Sequence, residues 1–218
     1  MLRRETDDVD RPVAQIAEEF RAGFEAVARI DRPAVAIFGS ARLPQSDRSC
    51  ALAAEVAAGF AREGFAVVTG GGPGLMEAAN RGAQQVGGLS VGFNIELPNE
   101  QASNPYLDIS HTFHHFYARK TMFVKATEGF VVFPGGFGTL DELFESLTLI
   151  QTGKIRHFPV VLFGRAHWDP MLRWIDGTLL AEEMISPEDL RLLTVTDDPA
   201  EAVRGVVDRY RRESARES

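Results

Sequence analysis

The chain has 218 residues, 44% of them hydrophobic and 25% charged, with a formal net charge of −8. That is enough for one α/β domain with a full core, and too acidic for a duplex nucleic-acid binder, which carries a basic face. A single cysteine, Cys50, excludes an intrachain disulfide and fits a reducing compartment.

Residues 1–10 are polar and are expected to be disordered, with residues 11–218 forming a single domain. The charged start from Met1 to Asp8 has no apolar stretch behind it, unlike a signal peptide. No apolar run reaches the roughly 20 residues that span a bilayer, so a soluble, cytoplasmic protein is expected. An N-terminal helix is predicted over 11–30, where Val13, Ile16, Ala17, Phe20, Phe24 and Val27 recur at helical spacing. Residues 34–38 read as a buried strand ending at Gly39-Ser40. Ser46 or Asp47 caps a helix reaching about Glu63. A strand over 65–69 leads into the turn Gly70-Gly71-Gly72-Pro73-Gly74, with Pro73 expected at the first helical position, where a missing N–H does no harm.

Residues 89–93 predict a third strand, 94–108 a loop, and 108–113 a short strand. A helix is expected over 114–127, a strand over 129–133, and a second glycine turn, Pro134-Gly135-Gly136-Phe137-Gly138-Thr139. Leu140, Leu143, Phe144, Leu147 and Ile150 then mark a helix over 139–152. A strand at 159–163 is followed by three helices, two with clear starts at Ser186-Pro187 and Asp198-Pro199. Strands alternating with helices predict an α/β, Rossmann-like fold: a doubly wound parallel sheet with helices on both faces. Ligands of such sheets bind at the C-terminal strand ends. Gly39-Ser40 and both glycine turns are expected there, so one site can use all three.

Glycine turns at helix N-termini expose backbone N–H groups that suit phosphate. Neither turn is followed by Gly-Lys-Ser/Thr or matches Gly-x-Gly-x-x-Gly, since Leu75 and Asp141 stand at the last glycine positions. Glu142 has two readings. With Thr139 it fits a capping box, which alone explains it. At a phosphate-binding turn its carboxylate instead lies within reach of a sugar, to stabilise developing positive charge or activate water. On a helical projection Lys120 falls near the middle of an apolar stripe formed by Phe113, Phe116, Phe123 and Val124, with Arg119 at its edge, while His114, Thr121 and Lys125 point away. A buried anion partner is the expectation for this pair of cations, against a lysine that snorkels to water. His111, His114 and His115 lack accompanying Cys or acidic ligands and read as surface or packing histidines, not a metal site.

Together these residues resemble the LONELY GUY family of cytokinin riboside 5′-monophosphate phosphoribohydrolases, often labelled "lysine decarboxylase". The family signature stands here as Pro134-Gly135-Gly136-Phe137-Gly138-Thr139-Leu140-Asp141-Glu142, preceded by Arg119-Lys120 and by Gly70-Gly71-Gly72-Pro73-Gly74-Leu75-Met76. The match covers about residues 33 to 205. The resemblance implies hydrolysis of the N-glycosidic bond of a purine nucleoside 5′-monophosphate, AMP or an N6-substituted cytokinin form, to free base and ribose 5-phosphate. It implies Arg119 and Glu142 as catalytic. Gly135, Gly136, Gly138, Thr139 and Asp141 would hold substrate, with Ser40, Gly71, Gly72, Gly74 and Met76 from the other strand ends. Lys120 would contact the nucleotide, and Glu100 aligns loosely with a substrate-binding glutamate. No metal or organic cofactor is implied, and no nucleic-acid or membrane partner. The partner expected is a second copy, in a homodimer or a higher oligomer built from dimers. Glu77 after Met76 and the 11–30 helix depart from the compact form and resemble a longer subgroup. A pyridoxal phosphate decarboxylase would need a Schiff-base lysine. Lys120 is the only candidate, and its Arg-Lys context has the better explanation. The alternative from another class is a nucleotide-binding sensor or cofactor carrier without catalysis.

Overall fold

A computed structural model describes residues 9–97, 102–156 and 158–217. Seven parallel strands form one sheet: β1 (Ala34–Phe38), β2 (Ala66–Thr69), β3 (Ser90–Ile95), β4 (Ile109–Phe113), β5 (Phe130–Val132), β6 (Val160–Phe163) and β7 (Leu193–Thr196). The helices are α1 (Asp10–Ala28), α2 (Arg48–Arg62), α3 (Leu75–Gln85), α4 (Phe116–Ala126), α5 (Phe137–Gln151), α6 (Arg165–Trp174) and α7 (Pro199–Glu217). The spatial strand order is β4-β3-β2-β1-β5-β6-β7. The chain builds outward from β1 to β4, then returns to β5 on the other side of β1. The crevice between the C-terminal ends of β1 and β5 is therefore the topological switch point, where open α/β sheets bind ligands.

Strand alternation sorts the core into two layers. Val35 and Ile37 face a layer with Val56 and Phe60 of α2, Leu75 and Ala79 of α3, and Val206 of α7. Ala34, Ala36 and Phe38 face the other layer, with Ala26 of α1, Met122 and Phe123 of α4, Leu143 of α5 and Trp168 of α6. The central strands are buried on both faces, as expected of a parallel sheet covered by helices.

Several local expectations shift. Asp47, not Ser46, caps α2, accepting the Ser49 N–H at 2.7 Å. Helix α3 starts at Leu75 with Gly74 as its cap, so Pro73 lies before the cap and not at the first helical position. The third strand runs on to Ile95, where a loop was expected. The start at Ser186 yields a single 3₁₀ turn, Asp189–Leu192, whereas Asp198 does cap α7 through the Ala200 N–H at 2.8 Å. Between them lies an unforeseen strand, β7. It is a four-residue edge strand beside a helix-start signal, too short to show a period.

Candidate active site

Three strand ends meet at Ser40. Its N–H donates to the Pro134 carbonyl, and its carbonyl accepts from the Leu75 N–H, both at 3.1 Å. Its hydroxyl accepts from the Arg42 N–H at 3.1 Å. The loops after β1, β2 and β5 are thus fastened to one residue. They surround a cavity of about 630 Å³ lined by Ser40, Arg42, Gly70, Gly72, Met76, Asn94, Arg119 and the 136–142 segment except Asp141. The expectation that one site uses all three strand ends holds for this cavity.

The second glycine turn opens it. Helix α5 begins at Phe137, capped by Gly136 without a side-chain bond, so the Phe137 and Gly138 amides are the first of the helix and have no intrahelical acceptor. Gly136, Phe137 and Gly138 are exposed, and Gly135 lies under the Thr139 hydroxyl. Thr139 sits inside the first turn and is not the cap. The capping-box reading of Glu142 therefore fails, and Glu142 falls one turn further in, on the cavity wall. Its side chain is buried.

Burial pushes the Glu142 carboxyl up to about 7, against the pull of the Arg119 and Lys120 charges, and Glu145 and Asp141 add to the rise. Arg119 is held over the Phe123 ring, its guanidinium carbon 5.2 Å from the centroid, and its Nε donates to the Phe93 carbonyl at 2.7 Å. Burial lowers its pKa and the Glu142 charge opposes that; a guanidinium stays charged regardless. Gly70 is required here by close approach: a Cβ would stand 2.5 Å from an Arg119 terminal nitrogen. Lys120 turns from the cavity and bridges to Asp141 at 2.9 Å and Glu145 at 3.1 Å. These carboxylates outweigh the burial of its ammonium and raise its pKa. The pair clamps α4 to α5 on both sides of Glu142. The buried face of α4 is Ala118, Met122 and Phe123, while Phe116 and Tyr117 are exposed. The stripe predicted around Lys120 is displaced because Phe113 belongs to β4 and not to the helix.

The first glycine turn is more a buttress than an anion nest. Its Gly71 N–H is taken by the Thr69 hydroxyl at 2.9 Å, and the Leu75 N–H by Ser40. Gly71 has φ +71°, and a Cβ there would meet the Asn94 amide at 2.2 Å. Gly71 and Gly74 do not line the cavity; Gly72 and Met76 do. Beneath the turn lies a polar network that no motif in the sequence announces. Asn80 accepts from Thr69 Oγ1 at 2.6 Å and Asn104 Nδ2 at 3.0 Å, and donates to Ser90 Oγ at 2.8 Å. Asn104 also donates to the Gly72 carbonyl at 3.1 Å. The Asn94 amide satisfies its neighbours with its nitrogen toward the Gly70 and Gly71 carbonyls, 3.2 Å each, and its oxygen accepting from Ser110. An asparagine inside an alanine-rich, otherwise buried helix face was the available signal. Asn80→Ala strands several buried polar groups, so a loss of about 2–4 kcal/mol is expected in denaturant unfolding. A loss below about 0.5 kcal/mol would mean the network is not holding the turn.

Helix α1 secures α4 from behind. The Glu19 carboxylate accepts from the His114 and His115 N–H groups at the start of α4 and pairs with the His115 ring. Burial would raise the Glu19 pKa, but these donors outweigh it and lower the value. Glu19→Ala is expected to remove about 1–3 kcal/mol of stability, read as a lower melting temperature. His114 pairs with Glu96, and His111 packs edge-on against Phe113 at 4.5 Å. Glu100 lies outside the described residues. Among the described residues, no group of three or more His, Cys, Asp or Glu side chains is placed to hold a metal, and no helix is long and apolar enough to cross a membrane.

Residues 76–206 match the family profile described as "Possible lysine decarboxylase". The chain is 34% identical over 160 residues to the cytokinin riboside 5′-monophosphate phosphoribohydrolase of Mycobacterium tuberculosis, covering 70% of this chain and 82% of that protein. It is 28% identical over 186 residues to the protein of that name from Rhodococcoides fascians, covering 83% and 92%. Among solved structures, the Moco carrier protein from Chlamydomonas reinhardtii superposes with a TM-score of 0.59 at 23% identity, covering 83% of this chain and 99% of that one. That likeness bears on the fold alone.

Proposed function

The chain belongs to the LONELY GUY family, described as possible lysine decarboxylase, and from that premise we propose that it hydrolyses the N-glycosidic bond of purine nucleoside 5′-monophosphates. The observation that carries the reading is the buried Glu142 carboxyl beside Arg119, on the wall of a cavity that opens at the α5 N-terminus. The 5′-phosphate lies at the Phe137 and Gly138 amides, where the helix dipole favours an anion. The ribose then sits over Glu142, and the purine lies along the apolar wall of Met76, Ile95, Leu97 and Phe116.

The bond from C1′ to the base nitrogen breaks with its electron pair going to the base, which takes up a proton. The positive charge left on the ribose ring is stabilised by the Glu142 carboxylate. Water adds its oxygen to C1′, and its proton passes to Glu142 or to solvent. A carboxyl with a pKa of about 7 is poised to accept it near neutrality. The Arg119 charge keeps Glu142 ionised enough to act. Phosphate anchoring supplies orientation, so AMP should be cleaved far better than adenosine.

Purified protein incubated with AMP, adenosine and N6-isopentenyl-AMP, with free base followed by chromatography, tests this. Base release from the monophosphates in preference to adenosine is expected, and the ratio between the two monophosphates gives the base preference. The carrier reading predicts binding by calorimetry with no base released from any of the three.

A further inference from the structure

Among the described residues lining the cavity, Arg42 and Arg119 are the only ones with cationic side chains. Arg119 spends its Nε on the Phe93 carbonyl, lies over the Phe123 ring and already faces the Glu142 charge. Lys120 is committed to Asp141 and Glu145, outside the lining. The first glycine turn has spent its Gly71 and Leu75 N–H groups internally. A phosphate dianion entering this cavity would thus meet the α5 amides and be left short of a positive charge. Arg42 is exposed at the cavity rim, and among the described residues no carboxylate is paired with it.

Its backbone is anchored, which leaves the guanidinium at the rim. The Ser40 hydroxyl accepts the Arg42 N–H, and the Ser40 N–H is tied to Pro134, the residue that opens the second glycine turn. The loop carrying Arg42 is therefore fastened across the switch point to the loop that starts α5. We propose that Arg42 is the phosphate-binding cation of this site, meeting from the cavity rim the 5′-phosphate that the α5 amides hold. The proposal rests on the phosphoribohydrolase reading only in needing a sugar phosphate as ligand, and not in needing catalysis. A guanidinium suits the task because its planar fork can bond two phosphate oxygens at once.

Titration calorimetry with ribose 5-phosphate, which the proposed reaction does not consume, tests it on wild type, Arg42→Ala, Arg42→Lys and Arg62→Ala. Arg42→Ala is expected to bind at least 10-fold more weakly and with a shallower salt dependence. Arg42→Lys should recover part of that loss, and Arg62→Ala, an exposed arginine at the far end of α2, should match wild type. Equal melting temperatures would show that folding is intact. Arg42→Ala binding within twofold of wild type overturns the proposal, as does a wild type that binds no ribose 5-phosphate. A wild type that binds it, loses it in Arg42→Ala and yet releases no base from AMP overturns the hydrolase reading while upholding the role of Arg42.

Discussion

Glu142→Gln is expected to make the protein more stable and catalytically crippled at the same time. The unfolded chain ionises Glu142 near 4.5, whereas the folded chain holds the proton to about 7. Between those values the folded state binds more protons, so stability falls as pH rises through that window. Above pH 7 the accumulated loss is about 3 kcal/mol, from 1.36 kcal/mol per pKa unit. A neutral amide of the same shape escapes it. Glu142→Gln should therefore melt on the order of 5–10 °C above wild type at pH 8, with the gap closing toward pH 4.5. Turnover should drop by roughly 10²- to 10⁴-fold, because the group that meets the ring cation no longer carries charge. Thermal unfolding across pH 4.5–8.5 reads the first effect. Parallel melting curves at every pH would show that Glu142 is not a destabilised buried acid.

Arg119→Met carries the second large effect, through the same carboxylate. Arg119 is the strongest charge holding the Glu142 pKa down. Without it the acid stays protonated to higher pH, so the rising limb of kcat/KM against pH should move upward. The loss at pH 7 should be on the order of 10²- to 10³-fold and should shrink at pH 9. A purely structural arginine would lower activity equally at all pH values. Arg119→Lys separates charge from shape: the charge survives, but the Nε bond to Phe93 and the guanidinium contact over Phe123 do not. Its rising limb should stay near that of wild type while its rate falls.

Much of this site can be read from residue order alone, for a physical reason. Runs such as Ala34 to Phe38 and Phe130 to Val132 are buried on both faces, so nearly every side chain reports the strand. Of the glycines that follow them, Gly39 and Gly135 stand where a Cβ would be crowded by Leu75 and Thr139. With both turns at C-terminal strand ends, the topology of an open sheet fixes where they meet. Polarity hidden within helices was less legible. Thr139 and Glu142 have capping-box spacing, but α5 begins at Phe137, so the same spacing sends Glu142 into the cavity wall. Lys120 looked central on a projection that counted Phe113 as helical; once that residue is placed in β4, Arg119 joins the buried side with Met122 and Phe123. Asn80, Asn94 and Asn104 lie far apart in the chain and have no spacing rule to connect them. Only the folded sheet brings them under the first turn. Arg42 belongs to no motif either, because its role depends on which other cations are already engaged.

The most direct test is a product balance on AMP with wild type and Glu142→Gln side by side, with binding of AMP by both measured in the same buffer. Wild type should release adenine and ribose 5-phosphate in equal amounts, while Glu142→Gln binds AMP and releases both at least roughly 10²-fold more slowly. Equal turnover by the two proteins, or AMP bound intact by wild type, would contradict a buried carboxylate that cleaves the glycosidic bond.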